Sequence, residues 1–405
     1  MTEINKRKIE EILTRGVEDV IVKEELEKKL LSGKRIRLYF GVDPTGSVLH
    51  LGHAVVLRKL KDFMDLGHEV IVLIGDFTAR IGDPTGKDTA RKPLTEKEVK
   101  DNFKDYKRQA SKILDFSKVK IKYNSTWLSK LKFADILRLA TNFTVQQMLA
   151  RDMFDRRIKE DKPISLQEFL YPLMQGYDSV VMDVDLEIGG NDQMFNMLAG
   201  RTLQKNINNK DKDVLTCKLL LGTDGRKMSK TFNNFIAITD NPADMYGKVM
   251  SIKDELISDY FELATSLSRD EVSKIKQSSD NPRDIKAVLA KEIVKIYHGE
   301  KEAESAEEEF DNVFRNKEIP TDMPILEITN GIYNIVDLLC LPAGRQATPL
   351  ASSKKEAKRL VEGGGVYVIK DSVETRITNW KEEIKLEEGI IIKVGSRRFV
   401  KISIK

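Results

Sequence analysis

Residues 39–53 have the sequence Tyr-Phe-Gly-Val-Asp-Pro-Thr-Gly-Ser-Val-Leu-His-Leu-Gly-His, and the segments around this stretch decide the fold. An apolar run at 36–40 predicts a buried strand. Apolar residues at helical spacing over 54–66 predict a helix. A second apolar run at 70–74 then completes a strand–helix–strand unit, which is the unit of a parallel sheet.

His50 and His53 are expected at the start of this helix, beyond the carboxyl end of the first strand, where ligands bind in open α/β sheets. The two imidazoles could donate to a phosphate chain, which a helix amino terminus also favours. Two alternatives stay open: a pair of surface or capping histidines, or a metal pair that lacks a nearby third protein ligand.

Composition limits the class of protein. A chain of 405 residues predicts two or three domains, and no apolar run approaches the roughly 20 residues that span a bilayer. The first residues lack an apolar signal segment. Cys217 and Cys340 are the two cysteines of the chain, so we expect no disulfide framework and a cytoplasmic protein.

Positive charge is concentrated near the end of a chain whose net charge is +4. Residues 351–405 contain 13 Lys and Arg against 8 Asp and Glu. Ser353 and Glu356 form a capping-box pattern that opens a basic helix, which is predicted to end at the glycines 363–365. This basic segment indicates a polyanionic partner, although a solvated surface would account for the same excess.

Polar groups recur where further strands and helices are predicted to begin or end. The glycine-rich loop 75–87 presents Asp83 as a candidate carboxylate, or as the residue that closes a turn before proline. Tyr171, Gln175 and Asp178 share one helix face, which is either a polar site or the solvent face. That helix begins at the capping box of Ser165, and Pro172 inside it predicts a kink or two helical segments.

Two later loops have features that are typical of nucleotide-binding sites. In the stretch 189–193, Gly-Gly-Asn-Asp-Gln, the glycines permit close approach of a ligand, and Asp192 could accept hydrogen bonds from a ribose. The loop 222–231 contains Lys227 and Lys230, whose point charges suit phosphate. A plain turn and a lysine-rich surface loop are the alternatives.

The remaining segments give a coarse pattern. Helices are predicted over 1–35, 95–115, 125–160 and 251–319. Further strands are predicted over 119–123, 214–221, 366–369, 389–394 and 399–404. Residues 341–350 form an irregular connection to which we assign no role.

Together these stretches closely resemble the bacterial tyrosyl-tRNA synthetase family of class I aminoacyl-tRNA synthetases, over nearly the whole chain. Residues 50–53, His-Leu-Gly-His, are similar to the first signature of that class. Residues 227–231, Lys-Met-Ser-Lys-Thr, are similar to the second, with Thr231 where Ser is commonest. Residues 353–405 resemble an S-four-like RNA-binding module, and the segment 341–350 departs from the family pattern.

The resemblance implies an α/β fold with a Rossmann-like parallel-sheet catalytic domain at 1–235, which includes a helical insertion at about 125–180. An α-helical anticodon-side domain would follow at 236–330. A small α+β S-four-like RNA-binding domain would occupy 345–405.

The resemblance also implies roles for individual residues. Tyr39 and Asp178 would bind the phenolic hydroxyl of tyrosine, and the other tyrosine-binding residues would be Asp83, Tyr171, Gln175 and Gln193. The catalytic residues that grip the ATP phosphates would be Thr45, His50, His53, Lys227 and Lys230. Further ATP contacts would come from Asp43, Gly52, Gly190, Asp192 and Met228. Transfer RNA would be bound by Lys354, Lys355, Lys358 and Arg359.

The implied activity is that of a tyrosine–tRNA ligase, which uses ATP with Mg²⁺ and needs no protein nucleophile or protein-bound metal. The implied partners are L-tyrosine, ATP, tRNA(Tyr) and a second copy of the chain, without a membrane. Alternatives are a tryptophan-specific synthetase, a small-molecule adenylyltransferase, and a synthetase-like RNA-binding protein without catalysis. An indole offers only a donor, so a Tyr–Asp pair fits a phenol better.

Overall fold

The computed structural model describes residues 5–44, 46, 48–83, 94–229, 232–314, 323–343, 348–371, 373–395 and 398–405. The chain divides into two compact units, Met1–Ala303 and Glu304–Lys405. The finer division at residue 235 and the boundaries at 330 and 345 stay predictions.

The first unit contains a six-stranded sheet with the order β1-β6-β5-β2-β3-β4. Its strands are β1 (Val17–Ile21), β2 (Arg37–Val42), β3 (Glu69–Ile74), β4 (Lys120–Tyr123), β5 (Leu186–Gly190) and β6 (Asp213–Cys217). The neighbours from β6 to β4 pair in parallel, whereas β1 pairs antiparallel with β6. The carboxyl ends of β6, β5, β2, β3 and β4 therefore share one edge of the sheet.

Helices connect and cover these strands. In the first half of the unit they are α1 (Lys6–Ile12), α2 (Lys23–Leu31), α3 (Leu51–Asp65), α4 (Glu96–Ala110), α5 (Ser125–Leu128), α6 (Phe133–Ala140), α7 (Val145–Leu149), α8 (Asp152–Lys159) and α9 (Leu166–Met182). They continue with α10 (Met194–Asn208), α11 (Pro242–Met250), α12 (Ile257–Ala264), α13 (Arg269–Ser278) and α14 (Pro282–His298). Helix α15 (Glu300–Phe314) begins in the first unit, and most of its residues belong to the second. Short 3₁₀ turns lie at Thr78–Arg80, Asn191–Gln193 and Asp254–Leu256.

The strand–helix–strand unit predicted around residues 39–53 is present as β2, α3 and β3. The residues of β3 from Val70 to Ile74 are all buried, as expected for a strand covered on both faces. Helix α3 buries Leu57, Leu60 and Phe63 completely. Gly67 has a φ of +87° just beyond the helix, a conformation that glycine adopts without a Cβ penalty.

Two local expectations are corrected. The segment 1–35 is not wholly helical, because Gly16 at φ +62° interrupts it and the β-branched run after it forms the edge strand β1. Helix α9 is one 17-residue helix through Pro172, so the expectation of two segments was wrong. Leu173 and Met182 are buried along this helix, and such burial outweighs the single hydrogen bond that proline removes.

The second unit contains a five-stranded sheet with the order β12-β11-β14-β15-β7, in which β7 is parallel to β15 and the other pairs are antiparallel. Its elements are β7 (Ile325–Ile328), β8 (Ile332–Asn334), α16 (Ile335–Leu339), β9 (Pro342–Ala343), β10 (Thr348–Pro349), α17 (Lys354–Glu362), β11 (Val366–Lys370), β12 (Val373–Ile377), β13 (Glu383–Lys385), β14 (Ile391–Val394) and β15 (Arg398–Ile404). The basic helix predicted after Ser353 is α17, and the Ser353 side chain accepts a hydrogen bond from the N–H of Glu356.

The second unit has a core of its own, which includes Val361, Val366, Ile392 and Ile402 at 0% exposure. The α/β fold with a parallel sheet, helices and a C-terminal β-containing domain is thus confirmed. None of the helices in the described ranges combines the length and apolar character needed to span a bilayer.

Candidate active site

A cavity of about 230 Å³ opens where the parallel strands of the first unit end. It is lined by Tyr39, Phe40, Gly41, Val42, Asp43, Leu73, Gly75, Thr78, Asp83, Asn124, Tyr171, Gln175, Asp178, Glu187, Ile188, Gly189, Gln193 and Met197. All six residues predicted to bind tyrosine are in this set. The topology explains why, since β2, β3 and β5 are neighbours and α9 leads into β5.

Tyr39 and Asp178, which are 0% and 2% exposed, form a part of the lining that we name the phenol end after the role predicted for these two residues. The Tyr39 hydroxyl lies 2.9 Å from the Ser179 hydroxyl. Asp178 accepts hydrogen bonds from Nε1 of Trp127 at 2.7 Å and from Nδ2 of Asn124 at 3.2 Å. Burial raises the pKa of Asp178 well above its usual range, although these two hydrogen bonds oppose the shift.

A second network in the lining joins Asp43, Tyr171 and Thr78, and we name it the amine end after the role predicted for Tyr171. The Tyr171 hydroxyl donates to Oδ2 of Asp43 at 2.7 Å, and the Thr78 hydroxyl donates to Oδ1 at 2.7 Å. A Cβ on Gly75 would collide with both Asp43 and Thr78, so the glycine permits this arrangement. Burial, and then the Asp43 carboxylate, raise the pKa of Tyr171 well above its usual value.

Two glutamines complete the polar lining at the amine end. Nε2 of Gln193 donates to Oδ2 of Asp83 at 2.8 Å, and Nε2 of Gln175 donates to Oε1 of Glu187 at 3.0 Å. Asp83 is 9% exposed. The amine end therefore presents carboxylate, hydroxyl and amide oxygens close together.

The two histidines lie where the sequence places them, at the start of α3. His50 is the N-cap residue, and Nδ1 of His53 accepts a hydrogen bond from the His50 N–H at 3.2 Å. The ring centroids of the two histidines are 3.8 Å apart. A Cβ on Gly52 would lie 3.1 Å from the His50 ring, so glycine gives this ring the room it needs.

The predicted second signature meets the first one. The position of a Cβ on Gly52 is 3.7 Å from the sulfur of Met228, and His50 forms a β-bridge with Ala237. Nζ of Lys227 lies 3.2 Å from Oδ2 of Asp192, at the start of the 3₁₀ turn that follows β5. A Cβ on Gly190 would approach Oδ1 of Asp192 to 2.8 Å.

A side-chain clamp holds the loop that carries Lys227. Asn234 accepts a hydrogen bond from the N–H of Ser229 at 2.8 Å and donates to Oδ1 of Asp224 at 2.7 Å. This bond from Asn234 and the backbone N–H of Arg226 lower the pKa of Asp224 to about 2. Thr45, Lys230 and Thr231 lie outside the described residues, and their predicted roles stay predictions.

The four residues predicted to bind tRNA belong to α17 of the second unit, apart from the cavity in sequence. Lys354, Lys355 and Arg359 are exposed. Lys354 forms an ion pair with Asp337 at 2.6 Å, and Nζ of Lys358 lies 4.0 Å from the ring centroid of Trp380.

Several residues at the cavity were not found from sequence. Trp127 and Asn124 hold Asp178, and Lys212 forms a buried ion pair with Glu187, which lines the cavity. Asn124 carried a usable signal, because it is a polar residue just beyond a strand that ends at the same sheet edge. Lys212 precedes a strand among charged residues and has the local pattern of a surface lysine.

The described residues contain no group of three or more His, Cys, Asp or Glu side chains placed to hold a metal ion. Carboxylates, hydroxyls and amides line the cavity, and imidazoles and a lysine lie on the neighbouring loops. Such a set can bind a polar amino acid beside a polyphosphate and neutralise charge on it.

Comparison with known proteins agrees with this geometry. The family model of class I tRNA synthetases (W and Y) matches residues 31–315. The tyrosine–tRNA ligase of Thermotoga maritima is 47% identical over 97% of this chain and 96% of its own length. That of Carboxydothermus hydrogenoformans is 46% identical over 98% of each chain.

Solved structures show the same fold. A C-terminally truncated mitochondrial tyrosyl-tRNA synthetase from Aspergillus nidulans aligns with a TM-score of 0.64 and 24% identity, over 76% of this chain and 94% of that one. The Archaeoglobus fulgidus tyrosyl-tRNA synthetase solved with L-tyrosine has a TM-score of 0.60 and 23% identity, over 75% and 100% of the two chains. By its family model and its full-length relatives, this chain belongs to the tyrosine–tRNA ligases of the class I tRNA synthetase family.

Proposed function

We propose that this protein joins L-tyrosine to ATP, giving tyrosyl-adenylate and pyrophosphate, and then transfers the tyrosyl group to the 3′ end of tRNA(Tyr). One observation carries the proposal. All six residues predicted to bind tyrosine line a single cavity, and Lys227 of the second predicted signature contacts Asp192, which directly precedes the lining residue Gln193.

At the phenol end, Tyr39 donates to the substrate oxygen and Asp178 accepts the substrate proton. Trp127 and Asn124 support this role, because they fix both oxygens of Asp178 in place. Bound phenylalanine would leave Tyr39 and Asp178 buried without the substrate hydroxyl that both are proposed to contact. Burying two polar groups without this partner costs much more free energy than the loss of one contact area.

At the amine end, Asp83, Tyr171 and Gln175 hold the substrate ammonium. Asp83 contributes negative charge, and its contact with Gln193 fixes its orientation. The charge of the half-buried Asp43 adds to this field, and its carboxylate accepts from Tyr171 and Thr78. The Asp43 contact to the adenosine side is proposed from the family pattern.

The substrate carboxylate then attacks the α-phosphorus of ATP, and pyrophosphate leaves. His50 and His53, at the amino terminus of α3, donate to the phosphates from one side. By the family pattern, Thr45 acts on the same side as the histidines, and Lys227 and Lys230 act from the other side. Asp192 and the backbone at Gly190 hold the ribose, while Gly52 and Met228 border the nucleotide. ATP is proposed to arrive as its Mg²⁺ complex, which adds positive charge at the phosphates.

Pyrophosphate exchange tests the proposal. Exchange should depend on tyrosine and not on phenylalanine or tryptophan. His50→Ala should lower kcat by roughly 10²–10³-fold. His298→Ala is the matched control, because His298 ends α14 and is not among the residues that line the cavity. Exchange driven equally by phenylalanine would contradict the assignment, and absence of exchange would favour a non-catalytic RNA-binding protein.

We propose that α17 binds tRNA through Lys354, Lys355, Lys358 and Arg359. Its exposed basic face supports electrostatic binding of a polyanion. A variant with alanine at Lys355, Lys358 and Arg359 should raise the KM for tRNA and leave exchange unchanged. A variant with alanine at the exposed Lys23 and Lys28 of α2 controls for loss of charge. Unchanged charging kinetics in the α17 variant would remove the helix from the tRNA interface.

We further propose a cytoplasmic homodimer that uses an apolar patch on α6 to α9. The exposed side chains of the patch are Phe133, Leu137, Val145, Ile158, Leu166 and Leu170. Leu166 is 80% exposed and Phe133 75%, and large apolar side chains exposed on successive helices favour an interaction surface. Sedimentation should give a dimer, and Phe133→Asp with Leu166→Asp should give monomers. A wild-type monomer at micromolar concentration would contradict the proposal.

A further inference from the structure

A buried ionic cluster consists of Glu187, which lines the cavity, and of Lys212 and Ser179, which contact Glu187 and are not among the lining residues. The proposed function assigns no role to this cluster. Lys212 is 0% exposed, Glu187 2% and Ser179 0%. Nζ of Lys212 forms an ion pair with Oε2 of Glu187 and donates to the Ser179 hydroxyl at 2.9 Å. Burying two charges is costly and does not by itself stabilise a fold, so the cluster requires another explanation.

Two contacts connect this cluster to the residues proposed to bind substrate. The Ser179 hydroxyl lies 2.9 Å from the Tyr39 hydroxyl at the phenol end. Oε1 of Glu187 accepts a hydrogen bond from Nε2 of Gln175 at the amine end, at 3.0 Å. The same ion pair therefore touches both ends of the cavity through one intermediate on each side.

Either hydroxyl could be the donor in the first contact, and the donor inventory together with the distances favours one direction. An ammonium group has three donors and no acceptor, so the Ser179 oxygen accepts from Lys212. The single proton of Ser179 is then available to the Tyr39 oxygen, which leaves the Tyr39 proton for the cavity. The competing contact from Ser179 to Oε2 of Glu187 is longer, at 3.4 Å, and that oxygen already takes Lys212.

This direction matters because a phenol has one proton to give. Both oxygens of Asp178 accept hydrogen bonds, so the substrate proton is expected to go to this carboxylate. The substrate oxygen then needs a donor, and Tyr39 can supply one when Ser179 donates to it. If the chain ran the opposite way, Tyr39 and Asp178 would both present acceptors to a group with one proton.

The second contact fixes the amide of Gln175. A carboxylate only accepts, so the amide nitrogen must face Glu187 and the amide oxygen must face away from it. Gln175 lines the cavity, and its free oxygen is the acceptor that a substrate ammonium requires. Glu187 thus orients a side chain that could otherwise turn an N–H₂ group toward a cation.

Gly200 on α10 provides the space for this cluster. A Cβ at this position would lie 2.5 Å from Nζ of Lys212 and 2.8 Å from the Ser179 hydroxyl oxygen. Any larger side chain would displace the ammonium group or the hydroxyl.

We propose that Lys212 and Glu187 form a positioning pair for tyrosine. Lys212, acting through Ser179, makes the Tyr39 hydroxyl a donor to the substrate phenol. Glu187 turns the amide oxygen of Gln175 toward the substrate ammonium. The inference rests on the proposed function, because it assumes that tyrosine occupies this cavity.

Inhibition of exchange by substrate fragments tests the phenol side. Tyramine and phenethylamine differ by the hydroxyl alone, so the ratio of their inhibition constants measures its contribution. Ser179→Ala should lower this ratio about three- to tenfold and Lys212→Met by tenfold or more. Lys59→Met is the matched control, because Lys59 is also buried but donates to the Ile12 and Arg15 carbonyls. It should leave the ratio unchanged.

A second pair of ligands tests the amine side of the proposal. Tyrosine and 3-(4-hydroxyphenyl)propionate differ by the ammonium group. Glu187→Gln should lower the ratio of their affinities about tenfold and leave the KM for ATP unchanged. The double variant Glu187→Gln with Lys212→Met restores neutrality, and it should fold even where Lys212→Met alone leaves a buried carboxylate without its cation.

A folded Lys212→Met protein with the wild-type hydroxyl ratio would overturn the inference for the phenol side. If Lys212→Met fails to fold, Ser179→Ala decides, because it leaves the ion pair in place. An unchanged ammonium ratio in Glu187→Gln would overturn the amine side. A wild-type protein without tyrosine-dependent exchange would instead overturn the proposed function.

Discussion

Lys227 and Asp192 lie on loops that follow different strands of the sheet, and Nζ of the lysine is 3.2 Å from Oδ2 of the aspartate. The side chains are 58% and 51% exposed, so their ion pair contributes at most about 1 kcal/mol to stability. ATP could therefore separate them at little cost, with the lysine turning to phosphate and the aspartate to ribose.

Lys227→Met is expected to raise the KM for ATP and to lower kcat in exchange, together by about 10- to 100-fold, because one charge-assisted contact is lost. The KM for tyrosine and the melting temperature should not change. Lys218→Met is the control, since Lys218 pairs with Glu262 and is not among the cavity residues. An equal loss in tyrosine and ATP affinity would show that Lys227 acts on the whole site rather than on phosphate.

Asp178→Asn should lower kcat/KM for tyrosine by about 10- to 100-fold while the KM for ATP stays constant. Trp127 and Asn124 each donate to one oxygen of the Asp178 carboxylate, which has only acceptors. The amide of the substituted side chain has one N–H₂ group, which must face one of these two donors. Steady-state exchange kinetics measure the effect. The control is Asp62→Asn on α3, because this carboxyl group faces Lys59 and not the cavity.

Acidification should weaken tyrosine binding in the wild type more steeply than in Asp178→Asn. Burial raises the pKa of Asp178, so its carboxylate is lost at a higher pH than that of an ordinary aspartate. The protonated form cannot accept the substrate proton as strongly. Tyrosine titrations over a pH series measure this difference, and parallel pH profiles would refute the assigned role.

Local sequence patterns were sufficient for the strand–helix–strand unit and for the shared face of Tyr171, Gln175 and Asp178. Both follow from periodicity within a few turns or strand residues. The partners of Asp178 were not predictable in this way, because Trp127 lies 51 residues from it and is brought there by sheet topology. Glu187 lies on β5, and Lys212 directly precedes the adjacent parallel strand β6. The two residues are 25 positions apart in sequence, so no local pattern predicts that they pair.

Arg157 and Glu168 form a buried pair, 4% and 3% exposed, in which two guanidinium nitrogens contact the two carboxylate oxygens at 2.6 and 3.0 Å. Arg157→Met should destabilise the protein by about 3–5 kcal/mol, because Glu168 is left charged and buried. Lys159→Met breaks an exposed pair with Asp155 and should destabilise the protein far less. Equilibrium unfolding in urea compares the two, and equal costs would contradict the burial argument.

The buried side chain of His68 should make the folded protein less stable in mild acid. The residue is 5% exposed, and its Nδ1 accepts a hydrogen bond from the N–H of Ile36 at 3.4 Å. Burial, and then the charge of Arg35, lower the pKa of His68 to about 4 from an ordinary value near 6.5.

Between these two values the unfolded chain binds a proton that the folded protein excludes. Stability should therefore fall as the pH drops from about 6.5 to about 4, by up to about 3 kcal/mol, and this contribution should be constant below that range. His68→Asn keeps an acceptor near Nδ1 but does not titrate, so its stability should depend less on pH across this window. Urea unfolding of both proteins at about pH 7.5 and about pH 4.5 measures the difference. Identical pH slopes would mean that His68 takes up its proton equally well in the folded protein.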